Sequence, residues 1–266
     1  MVVRSQSGQQ AWTIVGRGRV GAALADMGEN DILVGRGESI PEGPQGPVVV
    51  CTRNDALDDV VAFTPPNRRK DLVFIQNGML QPWLDKKGLG DNTQVLVYFA
   101  VAKKGEAPVD GKTDLNPEGL TAAWGLHAEA VAERLKSHGL SCSTLDRPEF
   151  VKAMLEKLVW ISAYMLVGAR HKATIGEVEK QYRSEVGSLI EELATGGAAE
   201  LGVSLDDGYI ERLHAYSRSV AHFPTAVKEF QWRNGWFFDL SKKSEAEGKS
   251  DPFPTHSAWL KEIGVV

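Results

Sequence analysis

The residues with the clearest chemical meaning stand early in the chain. Gly16, Arg17, Gly18, Arg19, Val20 and Gly21 spell G-x-G-x-x-G directly behind the β-branched run WTIVG and ahead of a helix-like stretch, Arg19 to Met27. In a strand-turn-helix setting each glycine has a task. The first permits a tight turn, the second lets a pyrophosphate approach the backbone, and the third brings helix close to strand. The start of the helix then offers N–H groups and a positive dipole end to phosphate. Three glycines at this spacing are a weak signal in a chain with 27 of them; the flanking pattern is what favours dinucleotide binding over a merely structural turn. The second strand reads Ile32, Leu33, Val34, Gly35, Arg36, with no carboxylate at its end to hold the ribose of NAD. Arg36 offers a planar fork suited to a 2′-phosphate, which favours NADP; the alternative is a solvated arginine beside Glu38. Arg53, after the third strand, stands toward the adenosine half or is likewise a surface residue.

Other residue types that could do chemistry are scattered. Lys157, within LEKL, is a proton-donor candidate whose ordinary reading is a snorkelling helix lysine beside Glu156. Asn77-Gly78 follows the fourth strand and is also a common turn dipeptide. Glu229 has Arg233 at i+4, which in a surface helix would be an ordinary ion pair. The six histidines, at 127, 138, 171, 214, 222 and 256, show no paired metal-ligand spacing, and no G-x-S-x-G elbow occurs, so metal and hydrolase chemistry are not expected.

The elements that must position these groups follow from periodicity. Continuous apolar runs at Val48 to Cys51, Leu72 to Gln76, Val95 to Ala100, Leu120 to Trp124 and Leu140 to Leu145 read as strands covered on both faces. Helical stretches such as DALDDVVAF and HAEAVAERLKSHG lie between them, the latter closing on Gly139. Past Arg147-Pro148 only helical periods remain: Glu149 to Ala169, Glu177 to Leu201, Asp206 to Ser217, a long segment from Thr225 to Glu247 ended by Gly248, and a short one after Pro254. The expected fold class is an α/β N-terminal Rossmann-like dinucleotide-binding domain over residues 1–147, followed by an all-α domain over 148–266 that bears substrate. Trp232 and Trp236, at i, i+4, predict a helix with two buried faces, lining core and cleft or core and the contact of a homodimer.

Composition agrees with a globular protein. The 266 residues suffice for about two domains at roughly 150 residues each. Hydrophobic residues at 42% and charged residues at 24% exclude disordered and fibrous classes. A net charge of -5 without a basic run argues against nucleic acid as a partner. The longest nearly apolar run, Leu158 to Ala169, is too short for a bilayer, which needs about 20 residues. The start, MVVRSQSGQQ, lacks the apolar stretch of a secretory signal, so a reducing, cytoplasmic location is the expectation. Cys51 and Cys142 then read as buried thiols rather than a redox pair.

Several stretches, in order over nearly the whole chain, together resemble ketopantoate reductase, the NADPH-dependent enzyme of pantothenate synthesis, and its wider family. They are GRGRVG, Arg36, Arg53 where the family usually has lysine, FIQNGM with Asn77, VAKKG after strand five, EKLVW with Lys157, and KEFQWRNG with Glu229 and Asn234-Gly235. The resemblance implies NADP(H) as cofactor and a small 2-keto acid as substrate. It makes Lys157 the acid that protonates the developing alkoxide, with its pKa drawn toward neutrality by partial desolvation. Asn77 would hold Lys157 or the nicotinamide ribose, and Glu229 would accept a hydrogen bond from a substrate hydroxyl. Where the family places asparagines four and eight residues after the lysine, this chain has Ile161 and Met165, on the same helix face. The pocket thus lacks two amide donors, of which Tyr164 would restore one hydroxyl, and suits a more hydrophobic 2-keto acid. The serine for the substrate carboxylate falls on Ser219, with His222 and Thr225 as alternatives. The connection between strands two and three is also shorter than the family's. These departures leave two further readings open: a hydroxyacid dehydrogenase working in the oxidative direction, and an NADP(H)-binding protein without turnover.

Overall fold

Short β-branched triplets supply most of the strands of one sheet. The computed structural model describes residues 10–266; residues 1–9, which carry most of the segment read above as lacking a signal, lie outside the described part. The strands are β1 (Thr13–Val15), β2 (Ile32–Val34), β3 (Val48–Val50), β4 (Leu72–Phe74), β5 (Thr93–Leu96), β6 (Ala122–Trp124) and β7 (Ser143–Thr144), in the order β2-β1-β3-β4-β5-β6-β7. The first five run parallel, β6 is antiparallel to β5, and β7 is parallel to β6. Thr13 stands opposite both Ile32 and Val48, so β1 is sandwiched between the second and third strands. Helices α1 (Arg19–Ala25), α2 (Leu57–Phe63), α3 (Gln81–Lys86) and α4 (Ala128–Ser137) accompany the sheet. Two apolar clusters, one around Ile14, Val49 and Val73 and the other around Val15, Val48 and Phe74, cover its two faces, as the unbroken apolar runs require.

One buried ion pair ties the outer part of this half together. Arg134 of α4 is 1% exposed, donates to Asp31 just before β2, and stacks 3.6 Å over the Trp12 ring. Asp31 in turn accepts from the Trp12 N–H at 2.7 Å. The guanidinium therefore closes a charge-assisted network instead of standing bare in the core.

The rest of the chain is helical: α5 (Arg147–His171), α6 (Ile175–Gln181), α7 (Arg183–Leu201), α8 (Tyr209–Ser219), α9 (Asn234–Ala246) and α10 (Pro254–Glu262). Asp146 caps α5 by accepting from Glu149 N at 3.0 Å, Pro148 sits in its first turn, and its 25 residues span about 37 Å. It is apolar nearly all round, so it is wrapped by other elements along much of its length. Met79, Leu96 and Tyr98 of the sheet half join its core cluster, so the two halves share one packed boundary.

Three expectations fail in instructive ways. The fifth strand does not run from Val95 to Ala100; it covers Thr93–Leu96, because Tyr98 N turns to the Thr121 hydroxyl at 3.1 Å and Val97 O leaves the ladder. The stretch Glu177 to Leu201 is two helices, broken at Tyr182. The long helix from Thr225 does not form: Glu229 adopts φ +48°, residues 230–232 make one 3-10 turn, and α9 begins only at Asn234.

Candidate active site

The glycine-rich turn lies where β1 meets α1, and its three glycines differ physically. A Cβ on Gly21 would stand 1.9 Å from Gly16 O, and one on Gly16 would meet Cys51 O at 2.9 Å, so both are fixed by packing. A Cβ on Gly18 would meet nothing within 4 Å. That open space belongs to a cavity of about 780 Å³ over the ends of β1, β2 and β3, lined among others by Gly16, Arg17, Gly18, Arg36, Thr52 and Arg53. Val20 and Gly21 lie in the turn behind it, and Arg19 points elsewhere, donating to Ala102 O at 2.8 Å in the VAKKG loop. Two buried side-chain oxygens near this edge, Thr52 Oγ1 and Gln76 Oε1, have no partner among the described residues. Gln76 itself is anchored by its amide to Val50 O and Thr52 O, at 2.8 and 3.0 Å. Arginines, an orphan hydroxyl and open backbone at Gly18 are a donor set that could hold a nucleotide diphosphate.

The tip of β2 corrects the reading of a site without a carboxylate. Glu38 folds back so that its Oε2 accepts from Gly35 N and Arg17 Nη2, each at 2.7 Å, and Glu38 lines the same cavity. Arg36 lines the cavity with no ion-pair partner among the described residues, whereas Arg53 pairs with Asp55 at 2.6 Å.

Lys157 sits in the third turn of α5 and is 6% exposed. Its ammonium does not pair with Glu156, which binds Arg212 instead. Lys157 Nζ donates to Val97 O, the carbonyl released where β5 ends, and lies 4.2 Å from the centre of the Tyr98 ring. Burial, with the nearby Arg233 charge in support, pulls its pKa down from 10.5 to about 7. A lysine in that state exchanges a proton near neutrality, which is what a general acid requires.

The segment after the broken helix brings a second charged pair to this region. Arg233 donates to Glu229, and the pair is largely buried, with side chains 12% and 29% exposed. The i, i+4 pairing anticipated from sequence is present, but across a 3-10 turn rather than on a surface helix. Glu229 lines a groove of about 420 Å³ together with Arg53, Asn54, Asp55 and Trp232, so Arg53 borders both this groove and the nucleotide cavity. The Asn77-Gly78 turn docks on the same segment: Met79 N donates to Trp232 O at 2.7 Å, and a Cβ on Gly78, at φ +114°, would stand 2.3 Å from that oxygen. Here the glycine, not Asn77, takes the left-handed backbone. Asn77 O accepts from Asn54 Nδ2 at 3.1 Å.

Of the other residues singled out from sequence, Ile161 and Met165 follow Lys157 along α5, and the polar ones are engaged elsewhere. Ile161 is buried in the helical core, and Met165 packs partly against it. The Tyr164 hydroxyl is engaged with His214 Nδ1 at 2.6 Å in the interior, so it restores no donor to the pocket. Ser219 is exposed at the end of α8, donates to Tyr216 O at 2.7 Å, and lines a separate hollow with Lys112 and Asp114. Thr225 donates to Ala173 O at 2.6 Å, and His222 rests on Phe223. Trp236 turns toward Gly197 and Phe237 in the helical core. Conversely, Val97 O, the Tyr98 ring, the return of Glu38 onto Gly35 N and the charge of Arg233 at Lys157 were not picked out from the residue pattern. Glu38 and Arg233 had a signal, the one its place beside Arg36 and the other its spacing from Glu229. Burial pushes the Cys51 and Cys142 thiols up to about 12, and no group of three His, Cys, Asp or Glu among the described residues could hold a metal ion. No helix among them is long and apolar enough to cross a membrane.

No family model matches the sequence, and no curated protein matches it. Solved structures do match. A ketopantoate reductase family protein from Ralstonia eutropha aligns over 96% of this chain and 98% of its own, with TM-score 0.70 and 16% identity. A dimeric ketopantoate reductase from Staphylococcus aureus aligns over 96% and 100%, with TM-score 0.66 and 14% identity. D-mandelate dehydrogenase, solved with NADH and anilino(oxo)acetate, aligns over 96% and 98%, with TM-score 0.65 and 14% identity. Almost the whole chain, sheet and helical half alike, therefore carries the fold of the ketopantoate reductases.

Proposed function

We propose that the protein is a nicotinamide-dinucleotide-dependent reductase of a small 2-keto acid, with Lys157 as the general acid. The observation that carries this reading is Lys157 itself: a buried amine, poised near neutrality, at the boundary shared by the sheet's carboxyl edge and the helical half. The fold neighbours act on or bind compounds of this kind, which supports the same class.

The cofactor would lie along the cavity over β1 to β3, with Gly16, Arg17, Gly18, Arg19, Val20 and Gly21 forming the phosphate turn and Arg36 and Arg53 flanking the adenosine. It supplies the hydride delivered to the substrate's carbonyl carbon. Glu38 favours a free ribose 2′-hydroxyl and Arg36 a 2′-phosphate; because Arg17 already neutralises Glu38, the balance leans to NADPH. Lys157 polarises the carbonyl oxygen and gives it a proton as the alkoxide forms. In doing so the amine exchanges its bond to Val97 O for one to the substrate, while that carbonyl and the Tyr98 ring keep it in place between turnovers. Glu229, on the groove wall, accepts from the product hydroxyl, and Asn77 orients the amine or the ribose from the opposite turn. Residues 148–266 act as the substrate domain.

A second reading, a cofactor-binding protein without turnover, draws on the apolar Ile161 and Met165 and on the bond that already occupies Lys157. NADPH fluorescence titration followed by a panel of 2-keto acids separates the two. The parent is expected to oxidise NADPH with at least one of them, and Lys157→Ala to bind cofactor as before while losing at least about 100-fold in kcat. Equal rates in the two proteins remove Lys157 from the mechanism, and tight NADPH binding with no oxidation establishes the second reading.

A further inference from the structure

A dinucleotide whose diphosphate lies at Gly18 needs a place for its base further along the same cavity, and two elements supply walls for one. The tip of β2 contributes Arg36, and Ile40 follows it. From α2 and its N-cap come Ala56, Asp59, Val60 and Phe63, whose i, i+3, i+4 and i+7 spacing puts all four on one helix face. Ile40 and Val60 are buried and give the cavity an apolar floor. Phe63 closes α2 with its surface 51% exposed, the one aromatic among the large apolar side chains so left in the described residues. Leu57 and Val61 anchor α2 in the apolar cluster against the sheet, so the ring stands on a fixed element. A phenyl held half in solvent on a cavity wall is a stacking face for a flat ring. Asp59 lies one turn before Phe63 on the same face. The two carboxylates that precede it, Asp55 and Asp58, are taken by Arg53 and Lys87, whereas Asp59 has no hydrogen-bond or ion-pair partner among the described residues. A carboxylate only accepts, so it asks the edge of a neighbouring base for an N–H, and the exocyclic amine of adenine is such a group.

We infer that Phe63 stacks against the adenine of the cofactor and that Asp59 accepts from the adenine's exocyclic amine, so that the chain recognises the base as well as the phosphates. The inference rests on the dinucleotide part of the reading above and adds to it the residues that meet the base. Phe63 supplies apolar area that is otherwise left in water, which gives affinity. Asp59 supplies direction, because side chains one turn apart on a helix stand about 5–6 Å from each other at Cβ, the scale of a base's own width. Arg36, on β2, stays free for the 2′-phosphate. Since α2 is anchored in the core, little ordering is required of the protein when the base arrives.

Calorimetric titration of the full-length protein with NADP+ and with etheno-NADP+, whose bridged base keeps a flat ring but has no exocyclic N–H, tests both contacts by binding alone. The parent is expected to hold NADP+ at least about tenfold tighter than the etheno analogue. Asp59→Ala is expected to bring the two within about threefold of each other, through a loss on NADP+ alone. Phe63→Ala is expected to weaken both about tenfold, and Phe63→Tyr, which keeps the ring, to stay within about threefold of the parent. NADP+ bound equally by the parent and Phe63→Ala overturns the stacking face. A preference for NADP+ that survives Asp59→Ala, or that the parent lacks, overturns the amine contact. The expected binding pattern in a protein that reduces no 2-keto acid supports the inference and overturns only the reductase. A parent that binds no dinucleotide overturns the inference together with the cofactor reading.

Discussion

If Lys157 is held by function against the preference of the core, removing its charge should make the protein more stable as it makes it inactive. Lys157→Met tests this, replacing the amine by a side chain of similar reach that the apolar wall accepts. In the folded chain the amine titrates near 7, against 10.5 as its ordinary value. Below about pH 7 both states hold the proton and the burial penalty is at its full value. Between about 7 and 10.5 only the unfolded chain holds it, so folding releases a proton and stability climbs with pH through that window. The separation of the two values corresponds to about 4–5 kcal/mol, at about 1.4 kcal/mol per pH unit. Against this, the variant leaves Val97 O without its donor, a loss of about 1–3 kcal/mol. The net expectation near neutral pH is a gain of about 1–4 kcal/mol. Toward about pH 10 the parent recovers most of its penalty, by about 4 kcal/mol, and overtakes the variant. Urea unfolding followed by tryptophan fluorescence at about pH 7, 8, 9 and 10 measures both quantities. The two cysteines, with thiols near 12, titrate above this range and equally in both proteins. Parallel stability curves, or a variant less stable than the parent at neutral pH, would refute a neutral-poised amine and with it the physical basis for a general acid at this position.

Two further outcomes separate packing from ligand binding. Gly18→Ala, at φ -76° and facing open space, should leave the melting temperature within about 2 °C while weakening NADPH binding at least tenfold; Gly21→Ala, driven into Gly16 O, should cost more than about 2 kcal/mol of stability whether or not cofactor is present. In fluorescence titrations Arg36→Ala should weaken NADPH at least tenfold more than NADH, and Glu38→Gln should do the reverse. A uniform effect in either variant would contradict the assignment of the 2′ position to these two residues.

The order of strands and helices was largely legible in the residues because it depends on local pattern. Continuous β-branched triplets such as Val48–Val50 have few alternatives to a doubly covered strand, and Gly139 closes α4 in the left-handed conformation its position predicts. The failures share a cause. Periodicity alone extends a strand through Val95 to Ala100 and a helix through Thr225 to Glu247, but in both places backbone groups take a tertiary partner instead. Tyr98 N goes to Thr121, Val97 O to Lys157, and Trp232 O to Met79 N. Glu229 holds a positive φ that an isolated glutamate disfavours, and the bonds of its segment to the Asn77-Gly78 turn and to Arg233 accompany that backbone.

The same reasoning explains why half of the candidate site could be read and half could not. Gly16, Gly18 and Gly21 are meaningful at a fixed spacing, and each proves to have a distinct packing environment. Lys157 carries no such signal; LEKL is unremarkable on any amphipathic helix, and only the loss of solvent around it gives the amine its chemistry. That loss depends on a strand that stops at Leu96 and on the absence of a helix through Glu229, because the freed carbonyl of Val97 and the freed side chain of Arg233 both come to the amine from outside α5. Continued regular structure at either place would satisfy Val97 O in a ladder or leave Arg233 on a solvated face. Lys157 would then revert to the exposed lysine that the pattern suggests. The two departures from regular secondary structure are therefore part of what makes a reactive amine at this boundary physically achievable.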